Sequence, residues 1–337
     1  MAKTKTQPIN RNASPAAYGW CFQVGAGISL MLDYIKDFSR LKMEGASDDI
    51  ELTLTEGKKL YAQAKSVTQM GEQRSASTVL KKALETLKDD TNNGDVFKLV
   101  YITNINNPLS SKTASAFSFG ASYDFPILTA ADQKTITDKA GADFPTDKFQ
   151  LQIINFFGEG DNKFQKIKEK IEEFLRVAIS DISYSKPLLN SWFETFMVNA
   201  ADKPDKEKKV DLTKRQVIFP VIAVVIDPPI SDAEFNKVSD YENYAEIAQE
   251  FRKVIYESTC DYEFIAQVLG DYLDKRKTIA DTTNYKYTFT KDEWQNYEKE
   301  FASITNAEKR QALVKILLLT IITRNSIIDQ IKGAANL

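Results

Sequence analysis

Between residues 50 and 65 the chain alternates apolar and polar side chains. Ile50, Leu52 and Leu54 are interleaved with Glu51, Thr53 and Thr55, and Leu60, Ala62 and Ala64 with Tyr61, Gln63 and Lys65. Successive side chains of a strand point to opposite faces, so this rhythm predicts two half-buried strands. Glu56-Gly57-Lys58 has turn character and predicts a hairpin between them. A loop with an odd number of residues, such as 56 to 58, sets Asp49 opposite Lys65 and Glu51 opposite Gln63 on one face. An even loop separates the acids from the Gln/Lys pair, because a one-residue slip flips every side chain.

The same pattern reading extends along the chain. Ser14-Pro15 starts a helix running to about Asp37, and a short strand near 39 to 44 leads into the hairpin. Ser77 is a suitable N-cap for a helix whose Val79, Leu80, Ala83, Leu84 and Leu87 form one apolar stripe. Asn92-Asn93-Gly94 turns the chain into a strand at 97 to 103, FKLVYIT. Residues 105 to 127 read as an irregular insertion, followed by a helix near 129 to 139 and a strand at 148 to 156. From about residue 161 the periodicity is helical, with a charge-rich loop or helix start at 201 to 215. This predicts a flexible polar arm at 1–13, an α/β domain at 14–157 and a mainly α-helical domain at 158–337. VIFPVIAVVI at 217 to 226 and ILLLTII at 316 to 322 fall short of the ~20 apolar residues of a membrane span. They are expected in a buried core or a partner-binding surface.

Composition is that of a soluble globular chain: 337 residues, 43% hydrophobic and 27% charged. A net charge of −3 gives no global basic field, so nucleic acid would need a local patch. Lys58, Lys59, Lys65, Lys81, Lys82 and Lys88 are the candidates, although the helical ones equally suit a solvated face. Histidine is absent, which excludes His-dependent hydrolases, HNH nucleases and His-based metal sites. Cys21 and Cys260 are too few for a zinc motif. Oxygen chemistry remains. Phosphodiester hydrolysis needs a divalent cation to polarise the phosphate and activate water, and hard cations take carboxylate and carbonyl ligands. Asp49, with Glu44 or Glu51, can supply carboxylates, and Gln63 and the Ala64 carbonyl can complete the shell. Lys65 adds positive charge where negative charge develops. The same residues also suit an ordinary charged hairpin face.

Taken with its flanks, the hairpin resembles a known family. GWCFQ at 19 to 23, MEGASDDIEL, YAQAK and the strand ending LVYITN resemble restriction-endonuclease-like nucleases with a Glu…Asp…Gln-x-Lys variant of the PD-(D/E)xK signature. Within these the chain is most similar to the CD-NTase-associated, Cap-four type double-stranded DNA endonucleases of bacterial anti-phage and anti-plasmid systems. The matching pieces lie in the first third of the chain. The literal Pro-Asp is missing, and Gln63 stands where many relatives carry an acid. The resemblance implies an α/β restriction-endonuclease-like N-terminal domain and a helical domain that docks or oligomerises. It implies Asp49, Gln63, Lys65, Glu44 and Glu51 as catalytic residues, with Asp49, Gln63, Ala64 and Glu44 holding Mg2+ or Mn2+. It further implies double-stranded DNA as substrate, a cytoplasmic location, an oligomer on activation, and a partner such as the SMC-type ATPase of Lamassu systems. A non-catalytic DNA-binding or scaffold subunit is the alternative. Val24-Gly25-Ala26-Gly27-Ile28-Ser29 also looks like the phosphate loop of sirtuin-type NAD-consuming domains, but such sites use a histidine. Small residues that bring a helix close to the sheet are the competing explanation.

Overall fold

The computed structural model describes residues 14–44, 49–69, 76–109, 117–201, 210–226, 230–278 and 284–337. The arm expected at 1–13 lies outside them, and so does the side chain of Cys260; Cys21 is half-buried. The chain runs α1 (Ser14–Asp33), β1 (Phe38–Met43), β2 (Ile50–Leu54), β3 (Lys59–Lys65), α2 (Ala76–Asp89), β4 (Val96–Thr103), β5 (Ser122–Asp124), α3 (Ala130–Ala140) and β6 (Phe149–Ile153). There follow α4 (Gln165–Ala178), α5 (Ser185–Ala201), β7 (Val210–Thr213) and α6 (Lys214–Ile226). The remainder is helical: α7 (Asp232–Phe235), α8 (Tyr244–Glu250), α9 (Arg252–Cys260), α10 (Tyr262–Arg276), α11 (Tyr285–Glu293), α12 (Ala307–Thr323) and α13 (Asn325–Ala335). This is a mixed α/β protein with a seven-stranded sheet in the order β5-β6-β4-β3-β2-β1-β7. β3, β4 and β6 are mutually parallel, and the other neighbours are antiparallel.

The β2–β3 register is Ile50 with Ala62, Glu51 with Tyr61, Leu52 with Leu60 and Thr53 with Lys59. The Leu54 N–H donates to the Lys58 carbonyl at 2.8 Å, so the loop is Thr55, Glu56 and Gly57. Gly57 has φ 78°, where a missing Cβ removes the steric cost, and it closes the turn one residue before Lys58. The loop is odd, as the one-face arrangement requires, but it begins one residue earlier than the expected 56 to 58. Cross-strand pairs are therefore displaced by two residues. Glu51 faces Tyr61, not Gln63, and the register carried one step further sets Asp49 level with Gln63 instead of Lys65.

Apolar side chains fill both faces of the sheet. Tyr61, Leu99, Tyr101, Phe149, Leu151 and Ile153 join Leu80, Leu84 and Leu87 of α2 and Ile136 of α3 in one core. α1 covers the other face, where Gly27 lies against Met43. A Cβ on Gly25 would collide with the Ile167 side chain of α4, so the glycine permits close packing. Residues 24 to 29 are thus interior to a buried helix whose N–H groups belong to its own ladder, which removes the NAD phosphate-loop reading. Ser77 is likewise inside α2, not its cap, and its hydroxyl accepts from Lys139.

Two further expectations are corrected. The segment 105 to 127 contains β5, which pairs with β6. The segment 201 to 215 contains β7, which pairs with β1 through Leu41 with Leu212 and Lys42 with Asp211. Val210 and Leu212 are buried while Arg40 binds Asp211 at 2.5 and 2.7 Å. Four residues of alternation were hidden beside a lysine-rich run. The chain consequently divides into residues 1–171 with 193–213, and 172–192 with 214–337, instead of at 157. In the second unit the two long apolar runs are core: Val217, Ile218, Val221 and Ile222 of α6, and Ala312 to Ile322 of α12, are buried. Of the two places expected for these runs, a buried core or a partner-binding surface, the core is the one they occupy. No single helix among the described residues is long and apolar enough to cross a membrane.

The glycines of α1 give a paired test by thermal unfolding. Gly25→Ala should destabilise by about 1–3 kcal/mol through overpacking against Ile167. Gly19→Ala, where an added Cβ meets nothing within 4 Å, should stabilise by up to about 1 kcal/mol through helix propensity.

Candidate functional site

The hairpin and the connection from β1 bring the chemistry together at the carboxyl end of β3. Glu44 ends the exit from β1 in a left-handed conformation, φ 50°, and its N–H donates to the Asp49 carbonyl at 3.0 Å. That bond closes the connection 45–48, which itself lies outside the described residues. Asp49 then projects onto the α2 face of the sheet beside β3. Its Oδ2 accepts from the Ala64 N–H at 2.8 Å and from Lys65 Nζ at 2.7 Å. Asp49 is 14% exposed and Lys65 35%, so the carboxylate is largely enclosed while the amine reaches solvent. Gln63, 3% exposed, lies on the same face. Ala64 has its side chain on the α1 face, and its observed contact with Asp49 is through its N–H.

Burial pushes the Asp49 carboxyl above its ordinary value, and the nearby Glu44 charge adds to the rise. The Lys65 charge and hydrogen bond and the Ala64 N–H oppose it without cancelling it. A buried acid beside a second acid is an environment that a divalent cation relieves. The residue types at this strand end suit a hard cation, which takes carboxylate, amide and carbonyl oxygens and completes its shell with waters. Among the described residues no three acidic or cysteine side chains gather in a metal-binding group.

Glu51 stands apart from this arrangement. It is two residues along the strand, about 7 Å of backbone from Asp49. Its Oε1 lies 3.2 Å from Lys42 Nζ and 3.3 Å from Lys59 Nζ. Two ammonium groups hold it, and neither the pattern nor the motif had marked Lys42. Most lysines of the expected basic patch are engaged by acids. Lys58 pairs with Glu56 at 2.5 Å, Lys81 with Glu85 at 3.7 Å and Lys88 with Asp143 at 3.6 Å, while Lys82 is exposed. Lys58 and Lys59 sit at the turn end of the hairpin, about 20 Å of strand from Lys65. The cause is simple: Lys59 and Lys65 are at opposite ends of one extended strand. A second residue unmarked in the sequence, Asn104, fixes the chain just beyond Lys65.

No protein-family model and no curated protein matches the chain. Two solved structures of the Acinetobacter baumannii Cap4 SAVED/CARF-domain containing receptor are distantly similar in fold. The one with the cyclic trinucleotide 2'3'3'-cAAA has a TM-score of 0.38 and 11% identity, covering 80% of this chain and 60% of that one. The one with 3'3'3'-cAAA has a TM-score of 0.39 and 12% identity, covering 76% and 59%. The chain thus spans about three fifths of the length of those proteins.

The raised Asp49 carboxyl has a consequence for stability. The folded protein holds this proton more tightly than the unfolded chain, whose value is near 3.8. The contribution is fully present below the unfolded value and is lost as pH rises through the folded one. Asp49→Asn, which resembles the protonated acid, should therefore match the parent protein in melting temperature at pH 3 and exceed it at pH 7. Equal melting temperatures at pH 7 would show that Lys65 fully compensates the buried charge.

Proposed function

We propose that this chain is a metal-dependent nuclease of the restriction-endonuclease-like, PD-(D/E)xK kind that hydrolyses double-stranded DNA. The observation that carries the reading is the enclosed Asp49 carboxylate, bound by Lys65 and Ala64 at the carboxyl end of β3, with Glu44 in electrostatic reach. Asp49 and Glu44 would hold Mg2+ or Mn2+, with the Gln63 amide oxygen and the Ala64 carbonyl as further ligands. The metal supplies Lewis acidity and a water of lowered pKa. Lys65, already ion-paired and partly exposed, offers its ammonium to the phosphate as negative charge develops there. Glu51 is left out of this set because Lys42 and Lys59 already engage it. Cytoplasmic action as the effector of a bacterial defence complex, in an activated oligomer with an SMC-type ATPase or comparable partner, belongs to the same proposal. That part rests on the motif resemblance.

The small number of converging acids favours one second reading, a DNA-binding subunit that keeps the fold without catalysis. Plasmid cleavage by the assembled protein separates the two. Asp49→Ala and Lys65→Ala should each lower Mg2+-dependent cleavage by about 100-fold or more with unchanged circular dichroism, and EDTA should abolish it. Glu44→Ala should have an equal or weaker effect, and Glu51→Ala should stay near the parent rate. Full activity in Asp49→Ala or Lys65→Ala would sink the nuclease assignment.

A further inference from the structure

Lys65 is the last residue of β3, and the strand is held unequally there. On one side β4 pairs with it through Gln63 with Tyr101, Ala64 with Ile102 and Lys65 with Thr103. On the other side the β2 ladder stops at the Ile50–Ala62 pair, and beyond it the Asp49 carboxylate takes the Ala64 N–H. A strand end with an incomplete ladder frays readily. Asn104, the residue after β4, carries the hold on the β4 side past the end of the ladder. Its Oδ1 accepts from the Val67 N–H at 2.8 Å, and its Nδ2 donates to the Val67 carbonyl at 2.7 Å. A primary amide presents one acceptor and two donors, so it engages both polar groups of a single residue as a neighbouring peptide would.

The clamp is fully buried. Asn104 is 0% exposed, in surroundings where a satisfied amide is strong and a broken one is costly. Its Nδ2 also donates to the Tyr18 hydroxyl at 3.3 Å, and that hydroxyl donates to the Phe156 carbonyl. Beneath it, the Val67 side chain packs with Ala76 and Ile105. Residues following β3, β4 and β6 are thereby joined at the carboxyl ends of the three parallel strands, and α1 contributes Tyr18. Lys65 lies between the β4 ladder and the Val67 clamp, two residues away on the chain.

We propose that Asn104 is a positioning residue: by clamping Val67 it sets the backbone of Ala64 and Lys65 so that both meet Asp49 Oδ2. Its kinetic consequence rests on the nuclease reading; its structural consequence does not. Two variants separate positioning from mere support. Asn104→Ala removes the clamp. Tyr18→Phe removes the Phe156 bond and one Asn104 contact but leaves both bonds to Val67.

Amide hydrogen exchange and cleavage kinetics on the full chain form the test, with the cleavage run on the assembled protein in Mg2+. In Asn104→Ala the Ala64 and Val67 amides should exchange at least about 10-fold faster than in the parent, relative to the central amides Leu60 and Leu99. kcat should fall about 10- to 100-fold with KM unchanged. Tyr18→Phe should leave Ala64 exchange and kcat at parent values. Unchanged Ala64 protection in Asn104→Ala would overturn the proposal, as would equal release of Ala64 by both variants. Fast Ala64 exchange in Asn104→Ala alongside a parent protein that cuts no DNA would support positioning and refute the nuclease reading. Should Asn104→Ala not fold, exchange in the parent protein decides: Ala64 and Val67 should open with a common free energy. Opening of Val67 without Ala64 would overturn the proposal.

Discussion

The pairing of β2 with β3 is the constraint on which the rest of the first unit depends. A two-residue side-chain period means that only an odd connection puts Asp49, Gln63 and Lys65 on one face. Gly57 meets that demand with a three-residue loop closed at positive φ. The same register sends Leu52 and Ala62 to the α1 face and Tyr61 to the core under α2. Core packing and site assembly are therefore two results of one alignment. Slipping the strands by one residue would bury Asp49 and Lys65 against α1 and expose Leu52, so the hydrophobic core also guards the polar face.

Position along a strand then separates acids that look alike. Asp49 and Glu51 lie two residues apart on one face, yet their surroundings differ. Glu51 meets Lys42 and Lys59 at the partly exposed centre of the hairpin. Asp49 has one ammonium and one backbone N–H at an enclosed strand end, where burial outweighs both. An acid already held by two cations gains little from a third. An acid kept in a costly state, with a second acid in reach, gains much. Electrostatics thus ranks the carboxylates in a way that residue type does not.

The division into units follows contact, not chain order. β7 returns to complete the sheet after α5, and the Arg40–Asp211 pair fastens it at the edge. In the second unit, Ala312 to Ile322 of α12 are buried by surrounding helices. A helix apolar on nearly every side belongs in a core, and α12 fits that rule although Lys315 and Thr320 are buried within its apolar run.

Much was legible in local sequence because it depends on local physics. Alternation marked β2 and β3, strands were expected near β1, β4 and β6, helical spacing marked α2 and α4, and the missing histidine restricted the chemistry to oxygen and ammonium groups. The presence of Asp49, Gln63 and Lys65 on one hairpin could be read, since parity follows from counting. Other features required three dimensions. Gly57 set where the loop closed, which a count of turn-forming residues leaves open by one position. β7 was too short to stand out from its lysine-rich flank, and only pairing with β1 made it a strand. The roles of Lys42 and Asn104 come from neighbours distant along the chain: Glu51 and the far end of β3. Sequence determines which groups can lie on one face because side-chain direction repeats with the backbone. Tertiary structure decided which of them touch, because burial and cross-strand neighbours are settled only when remote segments pack.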